Sequence, residues 1–247
     1  MESRKTNVSC EFLLENIDVL LALVIMILVT FFLVGRFLLA EGTILFGDFV
    51  PTLELRQFLR VNYPLWSNRN SFNYVGSMRL PYLLIFYFPF YIANTSAEVF
   101  FKFIIVSVFV ISGFSMYITA RHFLNKFNAD RKTVFLCCMI SSLFYAFNPW
   151  VMDRIYHYFL LVTYSFLPLI LLISVQIFNK DNVDLKRVLA LVLLCSIAST
   201  SPHSVFFISL LIVSLYVYFL LLSRKQFVPK TKNLVLFTVF YVLVNSF

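Results

Sequence analysis

The run VLLALVIMILVTFFLV at residues 19–34 carries no charged side chain and no alternation of apolar with polar positions, and SVFFISLLIVSLYVYFLLL at residues 204–222 repeats the pattern. A backbone in hydrocarbon has no water to pair with, so a segment that enters a bilayer is either a helix or a strand of a closed barrel. Barrel strands alternate residue by residue. These runs do not, and that selects helices. About twenty apolar residues are needed to cross, and on that length scale the spacing predicts helices over 18–40, 98–120, 133–148, 158–178, 187–200, 204–223 and from 233 onward. The expected fold is all-α, a polytopic transmembrane helical bundle of about seven spans forming one transmembrane domain over 1–247.

Composition agrees. Of the 247 residues 61% are hydrophobic and only 13% charged, against roughly half and a quarter in a soluble domain. This excludes a soluble enzyme, a secreted disulfide scaffold and a disordered tail. The net charge of +8 is topological in a membrane chain, because Lys and Arg collect in cytoplasmic loops. Without a soluble basic domain there is nothing to bind nucleic acid. Cys10, Cys137, Cys138 and Cys195 have no zinc-site spacing. The first run is followed by Arg36 and Glu41 and by no small-residue cleavage site, so it reads as a retained span, not a signal peptide.

The segments 121–132, 179–187 and 224–232 are rich in Lys and Arg and fall on one side, which the positive-inside rule makes cytoplasmic. Arg4 and Lys5 place the N-terminus there too. Both placements hold together only if LPYLLIFYFPFYIA, residues 80–93, does not cross. With Pro81, Pro89 and many aromatic residues, it reads as an interfacial or re-entrant element within one long external loop, 41–97.

The external side gathers the groups able to do chemistry. Gly47-Asp48 is a turn just beyond the first span, followed by Pro51 and an amphipathic pattern in which Leu53, Leu55, Phe58 and Leu59 oppose Glu54, Arg56 and Arg60; such a helix lies on a membrane surface. Asp48 is either a turn and cap residue or a general base or metal ligand at the headgroup layer. A second cluster is FNPWVMDRIYHY at 147–158. Asn148-Pro149 ends a helix, since the residue before proline avoids the helical region. Asp153, Arg154 and His157 then follow closely. Ionisable groups beside a span either pair or act, and on a helix Asp153 and His157 would share a face. His203, in the turn STSPHS at 199–204, is a third candidate. Asp48 and Asp153 are thus candidate catalytic acids or bases, while Arg154, His157, His203 and Arg56 are candidates to hold a donor phosphate. No Gly-rich phosphate loop, nucleophile elbow or HExxH motif occurs.

These features resemble the GT-C class of membrane glycosyltransferases. In particular, Asn148-Pro149-Trp150-Val151-Met152-Asp153-Arg154, then His157-Tyr158 and a Leu-Pro helix at Phe166-Leu167-Pro168, resemble the mycobacterial arabinofuranosyltransferase D group and its archaeal relatives. The resemblance implies transfer of a sugar from a polyprenyl-phosphate-linked donor to a cell-envelope glycan or glycoprotein acceptor on the external face, with Asp48 as general base. Because a single Asp follows Gly47, it leaves a divalent metal open as cofactor. It also covers only the N-terminal part of such an enzyme, and the chain stops inside an apolar run, so a longer parent protein is expected. The partners implied are a lipid-linked sugar donor, membrane lipids and the acceptor. A transporter or lipid flippase, and a non-catalytic assembly subunit, remain open as alternatives.

Overall fold

The computed structural model describes residues 2–42, 80–127, 129–180, 182–222 and 227–245, with backbone alone for 2–16, 80 and 83. Within these residues every regular element is helical: α1 (Glu2–Leu39), α2 (Leu80–Tyr82), a π-helical stretch (Leu83–Tyr87), α3 (Phe88–Ile92), α4 (Ala97–Leu124), α5 (Arg131–Phe147), α6 (Pro149–Asp153), α7 (Tyr158–Phe178), α8 (Leu185–Ala198), α9 (Pro202–Leu222) and α10 (Phe227–Asn245). Among the described residues six helical stretches are long and apolar enough to cross a membrane, namely 17–39, 97–124, 131–153, 158–178, 202–222 and 227–245. The chain is a multi-pass helical membrane protein.

The ends of these helices sort into two groups. Arg131, opening α5, grips Asp18 of α1 in two hydrogen bonds of 2.6 and 2.7 Å, and the Tyr117 hydroxyl of α4 donates to the Asp18 carbonyl at 3.5 Å. At the far end of α1 the Lys102 ammonium, near the start of α4, donates to the Ala40 carbonyl at 2.5 Å. So α1 and α4 are antiparallel, and the chain leaves α1 and enters α4 at one end of the bundle. Ser115 donates to the Ser165 carbonyl and Thr119 to the Pro168 carbonyl, which sets α7 parallel to α4. The Lys and Arg of the loops after α4 and α7 therefore share the end that holds Asp18, hereafter the basic end. The connections 93–96, 148–157 and 199–201 share the opposite end.

Residues 80–92 pack at that opposite end. Tyr82 meets Phe159 edge-on at 6.0 Å, and Tyr87 and Phe90 meet Phe100 at 5.3 and 5.6 Å, so the element packs on the N-terminal turns of α4 and α7, and residues 80–82 also meet α8. Its helix stops in a Schellman turn: Thr95 N–H reaches the Phe90 carbonyl and Asn94 N–H the Tyr91 carbonyl, with Asn94 in the left-handed region at φ 50°, where Asn serves nearly as well as Gly.

Two expectations need correction. The stretch read as a span over 187–200 is the fourteen-residue α8, about 21 Å long at 1.5 Å per residue. That is shorter than the ~30 Å hydrocarbon core, so among the described residues six helices have full crossing length, although α8 still carries the chain from the basic end to the opposite end. The reason is local. Pro202 disfavours helix just before it, and hydroxyls take over the carbonyls that the stop leaves free: Ser199 Oγ–H donates to the Cys195 carbonyl and Thr163 Oγ1–H to the Ala198 carbonyl. Second, α10 begins at Phe227 instead of 233. It takes in Lys230, which is buried with its ammonium 2.8 Å from the Phe219 carbonyl and 5.7 Å from the Phe219 ring centre.

Candidate functional site

The α5–α6 corner is built from its capping chemistry. Asn148 has extended backbone (φ −67°, ψ 156°), its side-chain oxygen accepts the Val151 N–H at 3.1 Å, and Pro149 fills the first helical position, where no N–H is needed. The Asn148 amide N–H donates to the Tyr145 carbonyl at 2.9 Å, closing the last turn of α5. Tyr145 and Tyr164 then tie α5 to α7. Pro168 has no N–H, so the Tyr164 carbonyl loses its intrahelical donor, and the Tyr145 hydroxyl supplies one at 2.8 Å. The Tyr164 hydroxyl returns a bond to the Tyr145 carbonyl at 2.9 Å, with the rings stacked at 4.2 Å and 6° apart.

Asp153 ends α6 and Arg154 follows in the turn. Their closest approach is 3.8 Å with both side chains substantially exposed, too long for a hydrogen bond and of small energetic weight. The helix breaks at Arg154, and His157 sits outside it as the N-cap of α7. The expected shared face of Asp153 and His157 on one helix is therefore not formed. Instead the chain folds back, with His157 N–H on the Arg154 carbonyl at 2.8 Å and its ring 4.2 Å from that of Tyr156. His203 lies in the first turn of α9 and is exposed, not in the preceding turn. Asp48 and Arg56 lie outside the described residues.

Beneath this corner lies a feature that the motif reading missed. An apolar groove of about 540 Å³ runs between the α5–α6 corner, α7 and α9, walled by Tyr145 and Trp150, by Leu160, Tyr164, Leu167 and Leu171 along α7, and by Phe207 and Leu211 of α9. Along α7 those positions continue a three-four spacing that starts at His157, and on α9 Phe207 and Leu211 continue a four-residue spacing that starts at His203. His157 and His203 thus stand at the α7 and α9 N-termini, beyond the residues that wall the groove, and Arg154 follows α6 as its C-cap. The spacing was legible in the sequence; that it walls a groove, with Pro168 also in the lining, was not. Thr163, the groove's main polar group, is tied back into the bundle: besides its bond to Ala198 it reaches Ser204 Oγ at 2.6 Å, and Thr200 Oγ1–H donates to the Phe159 carbonyl at 2.7 Å.

Among the described residues no three His, Cys, Asp or Glu side chains converge as a metal site. The buried thiols Cys138 and Cys195 sit in apolar packing. No protein-family model, no curated protein sequence and no solved structure matches the chain.

Proposed function

We propose that the chain is a membrane glycosyltransferase that moves a sugar from a polyprenyl-phosphate-linked donor to a cell-envelope glycan or glycoprotein acceptor on the external face. The observations that support this reading are the placement of Asp153, Arg154, His157 and His203 at the end of the bundle opposite the basic loops and the apolar groove that runs between α7 and α9. By the positive-inside rule the basic end is cytoplasmic, which puts the grouping outside and the N-terminus inside. A lipid-linked donor needs both parts of this arrangement, a greasy wall for its tail and a cation for its phosphate.

The chemistry asked of these side chains is an inverting displacement. A carboxylate, Asp48 in the first loop or Asp153, takes the proton from the acceptor hydroxyl. The acceptor oxygen forms the new bond to the anomeric carbon, and the bond from that carbon to the donor phosphate oxygen breaks with its electron pair staying on the phosphate. Arg154 stabilises the charge that grows there. The residues permit a divalent metal to assist at the phosphate; among the described ones no ligand cluster forms.

The test is transfer of radiolabelled sugar from synthetic polyprenyl-phosphate donors by membranes holding the protein expressed from its complete reading frame. Asp48→Asn or Asp153→Asn should lower turnover about 10²–10⁴-fold when the residue changed is the base. Near-normal turnover in both removes these carboxylates from the mechanism, and no transfer with any donor removes the reading. The shortness of α8, fourteen residues, and the fully buried Ser199 and Thr200 that follow it favour a second reading, a transporter, because unusually short apolar segments line substrate paths. Substrate movement across vesicles without glycosidic product would select it.

A further inference from the structure

Near the basic end, where α10 touches α7, α8 and α9, the bundle holds a buried charge without a counter-ion. Lys230, in the first turn of α10, is 1% exposed, and its ammonium meets the Phe219 carbonyl at 2.8 Å and the Phe219 ring at 5.7 Å. An ammonium has three N–H donors, and a carbonyl and a ring do not neutralise its charge. Among the described residues no carboxylate pairs with it; Asp184, the acid that caps α8, is shared by Lys180 and Arg187 at 2.8 and 2.9 Å. Three residues beyond Lys230 on the same helix face stands Asn233, 1% exposed, with neither amide atom hydrogen-bonded. Ser174 of α7 is fully buried, and its hydroxyl also has no partner. The levels of the two match. Phe178 packs on Tyr216 at 5.8 Å, and the Tyr216 and Thr231 hydroxyls meet at 2.8 Å. Ser174 lies one turn from Phe178 and Asn233 two residues from Thr231, both toward the opposite end, so they stand within about 3 Å of one level. Ser174 is also three turns from Thr163, hence on the face of α7 that meets the α8–α9 connection. Buried polar groups left unpaired are costly, and each asks for a partner.

We propose that Lys230, Asn233 and Ser174 bind one small inorganic anion, of the size and charge of chloride, inside the bundle. Charge sets the sign, since the ammonium attracts an anion, repels a metal ion and is left uncompensated by water. The donors set the fit. Lys230 N–H, the Asn233 amide N–H and Ser174 O–H all donate to a negative sphere, and the Asn233 oxygen accepts from a water that the ion retains. Burial sets the size, because Ser174 and Asn233 are enclosed by packed helices that admit a monatomic ion and not a lipid headgroup. Lys230 is about 5 Å from the start of α10 at 1.5 Å per residue, so the ion enters from the basic side without crossing the hydrocarbon. The site stands apart from the sugar-transfer reading and needs nothing from it. The experiment follows the melting temperature of the purified full chain in detergent as chloride replaces gluconate at constant ionic strength, alongside equilibrium binding of radioactive chloride. A ligand of the native state raises the melting temperature with its concentration. One chloride should bind per chain, with bromide competing. Lys230→Met and Asn233→Leu should each weaken binding about tenfold or more and flatten the chloride dependence, and Ser174→Ala should weaken binding by less. Lys232→Met, at an exposed position of α10, should change neither. Because Lys230→Met can fail to fold, the stability of Asn233→Leu gives an independent measurement. An amide that holds a ligand is missed when replaced by Leu, so the variant melts lower in chloride, whereas an orphaned amide is replaced at a gain. A melting temperature indifferent to chloride, unchanged binding in a folded Lys230→Met or Asn233→Leu protein, or an Asn233→Leu protein that melts above the native one in chloride overturns the assignment.

Discussion

Tyr145 and Tyr164 each donate a phenolic hydrogen bond to the other's backbone carbonyl, at 2.8 and 2.9 Å, with their rings stacked in parallel. The exchange is asymmetric in consequence. The Tyr145 carbonyl has a second donor in Asn148, whereas the Tyr164 carbonyl faces Pro168 and has lost its helical partner.

Tyr145→Phe should therefore be the costlier of the two phenol deletions, by about 1–2 kcal/mol, since it strands a carbonyl inside the bundle. Adding Pro168→Ala returns an N–H to Tyr164 and should recover much of that loss. Thermal unfolding of the single and double variants in detergent measures the coupling. Equal, additive losses would show that the Tyr145 hydroxyl is not standing in for the missing amide.

The Asp18–Arg131 pair should couple α1 to α5. Its two-point geometry and the 14% exposure of Asp18 set it above an ordinary surface pair, at about 1 kcal/mol. Asp18→Ala and Arg131→Ala should each lower the melting temperature, with the double variant no worse than the poorer single. Simple additivity would mean the pair does not hold the helices together.

Gly113 of α4 leaves the space that the Met26 side chain of α1 fills. A Cβ built there falls 1.9 Å from Met26 Cε, and Met26 is fully buried. Gly113→Leu should destabilise by about 1–3 kcal/mol through overpacking, and Met26→Ala in the same chain should relieve part of it. No relief would place the clash elsewhere.

At the basic end Asp184 caps α8, and its carboxyl is held below its ordinary 3.8 first by the hydrogen bond from Lys180 and then by the Arg187 N–H. A carboxyl lowered by folding contributes fully above its unfolded value, and the contribution is lost as pH falls through the lower folded value. The stability gap between the native protein and Asp184→Asn should thus be constant at neutral pH and close only below the ordinary 3.8. Asn keeps the cap, so a gap that persists in strong acid would show that the carboxylate charge is irrelevant.

How much of this was legible in the chain follows from which forces are local. Uninterrupted apolar runs fix helices whatever surrounds them, and Asn148-Pro149 announced the α5–α6 corner because its restriction is steric and short-range. The early stop of α8 was hidden because Ser196, Ser199 and Thr200 look harmless in an apolar run, and only tertiary partners such as Thr163 make a break there affordable. Lys230 was read as loop by its charge alone. Yet its four-carbon stem packs in α10 while the ammonium finds the Phe219 carbonyl. Arg154 and His157 share a backbone hydrogen bond, but the turn that separates them from Asp153's helix depends on where α7 begins. The groove was least legible, since it is empty space between three elements and no single segment encodes it.

The site reading depends on Asn94, Asp153 and His203 sharing the external face while residues 126 and 182 face inward. The direct measurement is labelling of single-cysteine variants, with Cys10, Cys137, Cys138 and Cys195 replaced by Ser, using a membrane-impermeant maleimide on intact cells. The expected result is labelling of Asn94→Cys, Asp153→Cys and His203→Cys from outside, and of Lys126→Cys and Asn182→Cys only after permeabilisation. Labelling of Lys126→Cys in intact cells, or protection of Asp153→Cys while Asn94→Cys reacts, would contradict it.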